Sequence, residues 1–190
     1  TAAYAVLTYQ TAWLKAHHTA EFMAATLSAD MDDTDKVAFF MADARANGVK
    51  VLAPDINSSN YRFEPVRITG KSDSTNESVQ KLQIQYGLGA IRGVGENAVM
   101  NILATRRQDG PFKDIFDFCS RIDRRVVNRR SIEALVKAGA FDRLHDNRAQ
   151  VLATVPLAVQ AADQAQASAH QGGLFESVGA ETQAIEMPKV

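Results

Sequence analysis

Gly87-Leu88-Gly89-Ala90-Ile91-Arg92-Gly93-Val94-Gly95-Glu96-Asn97-Ala98 sets five apolar or small residues around four glycines, in the pattern of two helices joined by a turn. Leu88 and Ile91 are spaced for a short first helix. Gly93-Val94-Gly95 then reads as a tight turn, because glycine accepts the positive φ that side chains resist. Glu96 opens a second helix, its carboxylate at the positive end of the dipole. Val99, Ile102 and Leu103 give that helix an apolar stripe. A glycine hairpin between two helices sets backbone N–H groups beside a helix N-terminus, an arrangement suited to an anion. The anion it implies is a nucleic-acid phosphate, a contact that positions a protein without reading base sequence. The same residues also fit a plain capping glycine followed by a turn.

The charge distribution supports the phosphate reading. The 190 residues carry a formal net charge of −1, so there is no global basic signature. Between Tyr86 and Val151, however, twelve Lys and Arg stand against eight Asp and Glu, a balance of +4 in an otherwise acidic chain. Such a region points to one surface that faces a polyanion. Five of those cations fall in ten residues: Arg121, Arg124, Arg125, Arg129 and Arg130. A solvated face explains many such runs, but beside a phosphate-type hairpin this one reads as a DNA-facing edge. Cys119 is the only cysteine, which excludes an intrachain disulfide and a cysteine zinc site and fits a reducing cytoplasm. With nothing nearby to make it a thiolate, it reads as a buried, inert thiol. No apolar run is long enough to cross a membrane, and there is no signal peptide. The chain starts Thr1-Ala2-Ala3-Tyr4, without Met and already in a helical pattern, and reads as a piece of something longer.

The rest of the chain is mainly helical. Residues 3–17 and 19–27 form two helices, with Thr19 as a cap and Tyr9 and Trp13 packed in the core. Asp32-Asp33-Thr34-Asp35 is a helix start rather than a metal loop, since the glycine and glutamate of a calcium loop are missing. That helix buries Val37, Phe40, Met41 and Ala44 and stops at Asn47-Gly48. Residues 49–52, 61–66 and 81–86 read as strands of a small, mostly antiparallel β-insert, with a polar loop over 69–80. Beyond the hairpin, residues 112–122 form a short helix with Phe112, Ile115, Phe116 and Cys119 inward. Asn128 caps another that buries Ile132, Leu135 and Val136. Ala138-Gly139-Ala140-Phe141-Asp142 looks like a second, degenerate hairpin in which packing outweighs phosphate contact. A last helix runs from Asn147 to about Ser168 and contains Pro156, which should kink it. The tail carries Gln171-Gly172-Gly173-Leu174-Phe175, one amide hook and two apolar anchors suited to a pocket on a partner.

Gly93-Val94-Gly95 with Ala98 resembles a helix-hairpin-helix DNA-binding motif. A wider set of residues resembles one family, the bacterial replicative DNA polymerase III alpha subunit, a C-family polymerase. These are Ala2-Ala3-Tyr4-Ala5, Tyr9 to His17, Pro54-Asp55-Ile56-Asn57, Tyr86 to Gly95, Asn128-Arg129-Arg130, and Lys137 to Asp142, in the family's order across residues 1 to about 155. The resemblance implies a helical portion of the distal fingers with a β-insert (1–85, insert about 49–86), a tandem helix-hairpin-helix domain (86–155), and a helical extension and tail (156–190). Peptide 171–175 stands where the family carries its internal motif for the sliding clamp, the beta subunit. The implied DNA contacts are Arg92, Gly93, Val94, Gly95, Arg121, Arg124, Arg125, Arg129 and Arg130. The clamp contacts are Gln171, Leu174 and Phe175. Tyr4 matches a position near the incoming nucleotide. The family's catalytic aspartates, and the Mg2+ they imply, belong to a palm domain upstream. The expectation is therefore a fragment with no catalytic residue, cofactor or metal site, inactive alone, acting in the cytoplasm on primer–template DNA and meeting other replicase subunits only through regions outside it. The rival is a stand-alone helix-hairpin-helix scaffold of repair or recombination. A glycosylase would want an Asp with a Lys beyond the hairpin, and no convincing pair is present. A pure protein-interaction module would need the hairpin only to pack.

Overall fold

The computed structural model describes residues 2–71 and 78–171. The chain divides into two compact units, Thr1–Pro54 with Ser58–Arg92, and Asp55–Asn57 with Gly93–Val190. Among the described residues no helix is long and apolar enough to cross a membrane.

The first unit is built from α1 (Ala2–His17), α2 (Thr19–Ala29) and α3 (Thr34–Ala46) beside a small sheet. Asp33 caps α3 by accepting from the Asp35 and Lys36 amides, as a carboxylate at this position should. Gly48, at φ +76°, turns the chain toward the sheet. Strands β2 (Glu64–Lys71) and β3 (Ser78–Gln85) pair antiparallel, with Pro65 opposite Ile84 and Arg67 opposite Leu82. The two-residue β1 (Val51–Leu52) adds on the other side of β3 in parallel, giving the order β1-β3-β2. The core gathers Met23, Ala24 and Leu27 from α2, Val37 and Ala44 from α3, Val51, Phe63 and Ile84. Gln85, buried, donates its amide to the Ala53 carbonyl and the Ser59 hydroxyl. Gly87 and Gly89 are needed for close approach. A Cβ on Gly87 would stand 2.6 Å from the Arg62 carbonyl carbon, and one on Gly89 would stand 2.5 Å from the Tyr61 ring.

Several sequence expectations are corrected in this unit. Tyr9 and Trp13 are not core residues. They are 70% and 44% exposed, and with Tyr4, Val6, Leu7 and Leu14 they leave much of α1 apolar and uncovered. Helical spacing identifies an apolar face but not what packs on it. Trp13 instead lies against His17 and His18, at 4.6 and 5.7 Å between ring centres. Thr19 does not cap α2, because its hydroxyl bonds back to the Lys15 carbonyl at 2.9 Å. The 69–80 loop is shorter than expected, since pairing carries β2 to Lys71 and starts β3 at Ser78, and β2 begins at Glu64 rather than Tyr61.

Among the described residues the second unit has four helices: α4 (Glu96–Asp109), α5 (Ile115–Arg121), α6 (Arg129–Ala138) and α7 (Arg148–Gln171). Asp114 caps α5 and Asn128 caps α6 through their side-chain oxygens. Phe112, Phe118 and Phe141 stack edge to face, 4.9 and 5.1 Å between centres, at the middle of its core. Phe118 is fully buried, and the expected Phe116 is only half-buried. α7 stays helical through Pro156. The 55–57 segment is stitched into this unit. Ile56 is fully buried and its amide donates to Ala140 O at 2.8 Å. Asn57 pairs with both backbone groups of Phe112, each at 2.8 Å. The buried Asp55 carboxylate meets Arg143 at 3.0 Å.

Candidate nucleic-acid interface

The hairpin has the shape its glycines imply. Leu88–Ala90 forms a 3-10 turn, with Leu88 and Ile91 buried. Gly93 has φ +88°, the left-handed conformation that favours glycine. Gly95 does not share it. At φ −75° and ψ 158° it is the extended N-cap of α4. Gly95 offers no side-chain oxygen to the first turn of α4. The first N–H groups of a helix have no intrahelical partner, and here no cap side chain takes them. Val94 is buried and anchors the turn, while Gly93, Gly95, Glu96 and Asn97 are exposed. Ala98, buried, lets α4 pack closely behind.

α6 closes against this turn from within the same unit. Ser131 in its first turn is 4% exposed and donates its hydroxyl to Gly93 O at 3.1 Å. A Cβ placed on Gly93 would lie 3.7 Å from the Ala134 methyl. Arg129 and Arg130, in the same turn as Ser131, are exposed, with Arg129 also paired to Glu133 at 2.8 Å. Arg125 is exposed almost completely, 3.6 Å from the Asp123 carboxylate. Arg92, the residue before Gly93, is exposed and ends the first unit.

The other two arginines of the run are built into the fold. Arg121 donates to the carbonyls of Gly110 at 2.7 Å, Pro111 at 3.2 Å and Thr105 at 3.4 Å, and pairs with Asp117 at 2.9 Å. Its guanidinium also lies 4.6 Å from the centre of the Phe112 ring. Arg124 reaches α7, bonding to the Val159 carbonyl and the Asp163 carboxylate. Both side chains are less than one-fifth exposed. A cleft of about 720 Å³ lies between these residues, Asn101, Ser120 and the later part of α7.

The second hairpin differs where it matters for an anion. Gly139 has φ +89° but is buried, and a Cβ there would strike Arg148 at 2.7 Å and Asp142 at 2.9 Å. The Arg148–Asp142 ion pair fills the space beside the turn, and Arg148 also donates to Lys137 O. Packing therefore dominates there.

Cys119 is fully buried, and burial pushes its thiol up to about 12. Among the described residues no group of His, Cys, Asp or Glu is placed to hold a metal. Tyr4 is 77% exposed on α1. Gln171 is the last residue of α7, and Leu174 and Phe175 lie outside the described residues. The sequence reading missed Ser131, because only its position three residues after the capping Asn128 hinted at a role.

A family profile described as a helix-hairpin-helix motif matches residues 48–151, more than half of the chain, and the chain belongs to that family. Over 175 residues, 92% of its length, it is 50% identical to the DNA polymerase III subunit alpha of Neisseria meningitidis serogroup B. It is 50% identical to that of Vibrio cholerae over 86% of its length, and 44% identical to that of Escherichia coli K12 over 97%. The resemblance to bacterial DNA polymerase III alpha subunits is thus shown at high identity, and the chain spans about one-seventh of the length of these relatives.

Proposed function

We propose that this chain is the segment of a replicative DNA polymerase that grips the backbone of duplex DNA and tethers the enzyme to its sliding clamp. The observation that carries the proposal is the Ser131–Gly93 bond at the first hairpin. It ties the exposed turn, which leads into the N-terminus of α4 with no side-chain cap, to the first turn of α6, which carries the exposed Arg129 and Arg130. Phosphate contacts of this kind hold a duplex without reading its sequence, which is what an enzyme copying any template requires. In this reading Gly93, Val94 and Gly95 present the amides, and Arg129 and Arg130 supply charge. Arg121 acts by holding α5 to the end of α4, and Arg124 by holding the segment after α5 to α7. The likeness to DNA polymerase III alpha subunits supports the replicative setting.

The second part of the proposal rests on sequence. Gln171, Leu174 and Phe175 form the peptide that enters the clamp's pocket. Such a tether raises the effective concentration of the polymerase at the primer end. In this reading nucleotide addition, and the Mg2+ it needs, belong to regions of the polymerase outside this segment. Two arms test the proposal. Arg129→Glu with Arg130→Glu weakens duplex binding ~10-fold or more at moderate salt. Leu174→Ala with Phe175→Ala abolishes co-purification with the clamp while duplex binding persists. Unchanged duplex affinity in the folded arginine variant removes the grip, and unchanged clamp capture removes the tether.

A further inference from the structure

We infer that Ser131 is a positioning residue for the hairpin's phosphate contact, an inference that rests on the DNA-gripping reading above. A trans peptide is planar and carries its C=O and N–H on opposite edges. The Ser131 hydroxyl holds the Gly93 carbonyl at 3.1 Å, on the side of the turn that faces α6. That bond turns the Val94 N–H away from α6 and withdraws a carbonyl oxygen from the surface a phosphate approaches. A carbonyl left free there would repel the anion. Gly93 at φ +88° has no side chain to lock this peptide plane, and even a Cβ there would meet only the Ala134 methyl, at 3.7 Å, so the plane is held by a partner from elsewhere. Ser131 is that partner, and it is not spent on capping its own helix. The cap belongs to Asn128, whose Oδ1 accepts from the Ser131 amide at 3.0 Å. One residue thus links the turn to the first turn of α6 and keeps the Gly93 carbonyl off the face toward which the Val94 N–H points.

The two roles of this turn separate by mutation. Ser131→Ala removes the hydroxyl and leaves the Asn128 cap, whereas Asn128→Ala removes the cap and leaves the hydroxyl. The probe is a fluorescent duplex of arbitrary sequence, read by anisotropy on the 190-residue chain. Amide shifts of Gly93, Val94 and Gly95 are followed in parallel by NMR. Ser131→Ala is expected to lower affinity ~5-fold, the usual worth of one hydrogen bond, and to shrink the hairpin amides' response to DNA. Ser131→Thr, which keeps the hydroxyl, restores both. Asn128→Ala lowers the melting midpoint but keeps wild-type affinity. Wild-type affinity in folded Ser131→Ala overturns the inference, as does an equal loss in Asn128→Ala, which would make the effect one of helix stability. A wild-type chain that binds no duplex would instead remove the DNA-gripping reading itself.

Discussion

Replacing Gly95 by Asp should move stability and DNA affinity in opposite directions. Gly95 sits at φ −75°, ψ 158°, a backbone any residue adopts, and a Cβ there would meet nothing within 4 Å. The fold therefore tolerates a side chain, and an N-cap carboxylate would accept from the unpartnered first-turn amides of α4. Relative to glycine the cap adds a few tenths of a kcal/mol, and the reduced freedom of the unfolded chain adds ~0.5 kcal/mol, together roughly 1 kcal/mol. For a unit of this size that raises the melting midpoint by about 4–8 °C. The same carboxylate would occupy the place proposed for a phosphate. Two like charges ~4 Å apart repel by ~1 kcal/mol in water and ~4 kcal/mol near a protein surface. Duplex affinity should then fall by roughly 5-fold to several-hundred-fold. Gly95→Ser is the companion variant, since it caps without charge and should stabilise with a smaller loss of binding. Melting and fluorescence anisotropy on the same preparations check both signs. A stabilised Gly95→Asp that binds duplex as well as wild type would refute the reasoning, because an occupied anion site cannot ignore a carboxylate placed in it.

Three further outcomes follow from the interior of the molecule. Arg121→Ala should cost ~3 kcal/mol of stability by chemical denaturation, because it leaves Asp117 and three carbonyls without their shared donor. The folded fraction should still bind duplex. Ile56→Ala should destabilise the second unit by ~2–5 kcal/mol, the range for truncating a fully buried aliphatic side chain, with proteolysis of that unit as the readout. Cys119 should resist thiol reagents at pH 8 until the chain is unfolded. Its raised native pKa means the folded state keeps a proton that the unfolded state loses, so its contribution is fully present below about pH 9 and is lost as pH rises toward about 12. Cys119→Ala should flatten that part of the alkaline stability profile, leaving the part due to Tyr86, whose phenol is also raised by burial.

The features that sequence makes legible are local ones. The φ of Gly93, the caps at Asp33 and Asn128, and the apolar faces of α3, α4 and α6 are each set within about four residues, where helix periodicity and capping chemistry operate. The features it hides depend on distant partners. Arg121 looks like a member of a solvated basic run until the carbonyls of Thr105 and Gly110 are placed around it. Asn57 looks like turn chemistry, yet it pairs with Phe112, 55 residues away. Ser131 serves a glycine 38 residues earlier. Tyr9 and Trp13 show the converse limit, since α1 is apolar over a wide arc and what such an arc packs against is not written in its own spacing.

One salt titration decides whether the second unit grips duplex backbone without reading sequence. Affinity is measured for two duplexes of unrelated sequence between about 50 and 200 mM salt, where each neutralised phosphate contributes a slope of about −0.9 in log K against log salt. Nearly equal affinities and a slope of several units are expected for both, made shallower in the Arg129→Glu, Arg130→Glu chain. An affinity that stays flat with salt, or that belongs to one duplex and not the other, would contradict it.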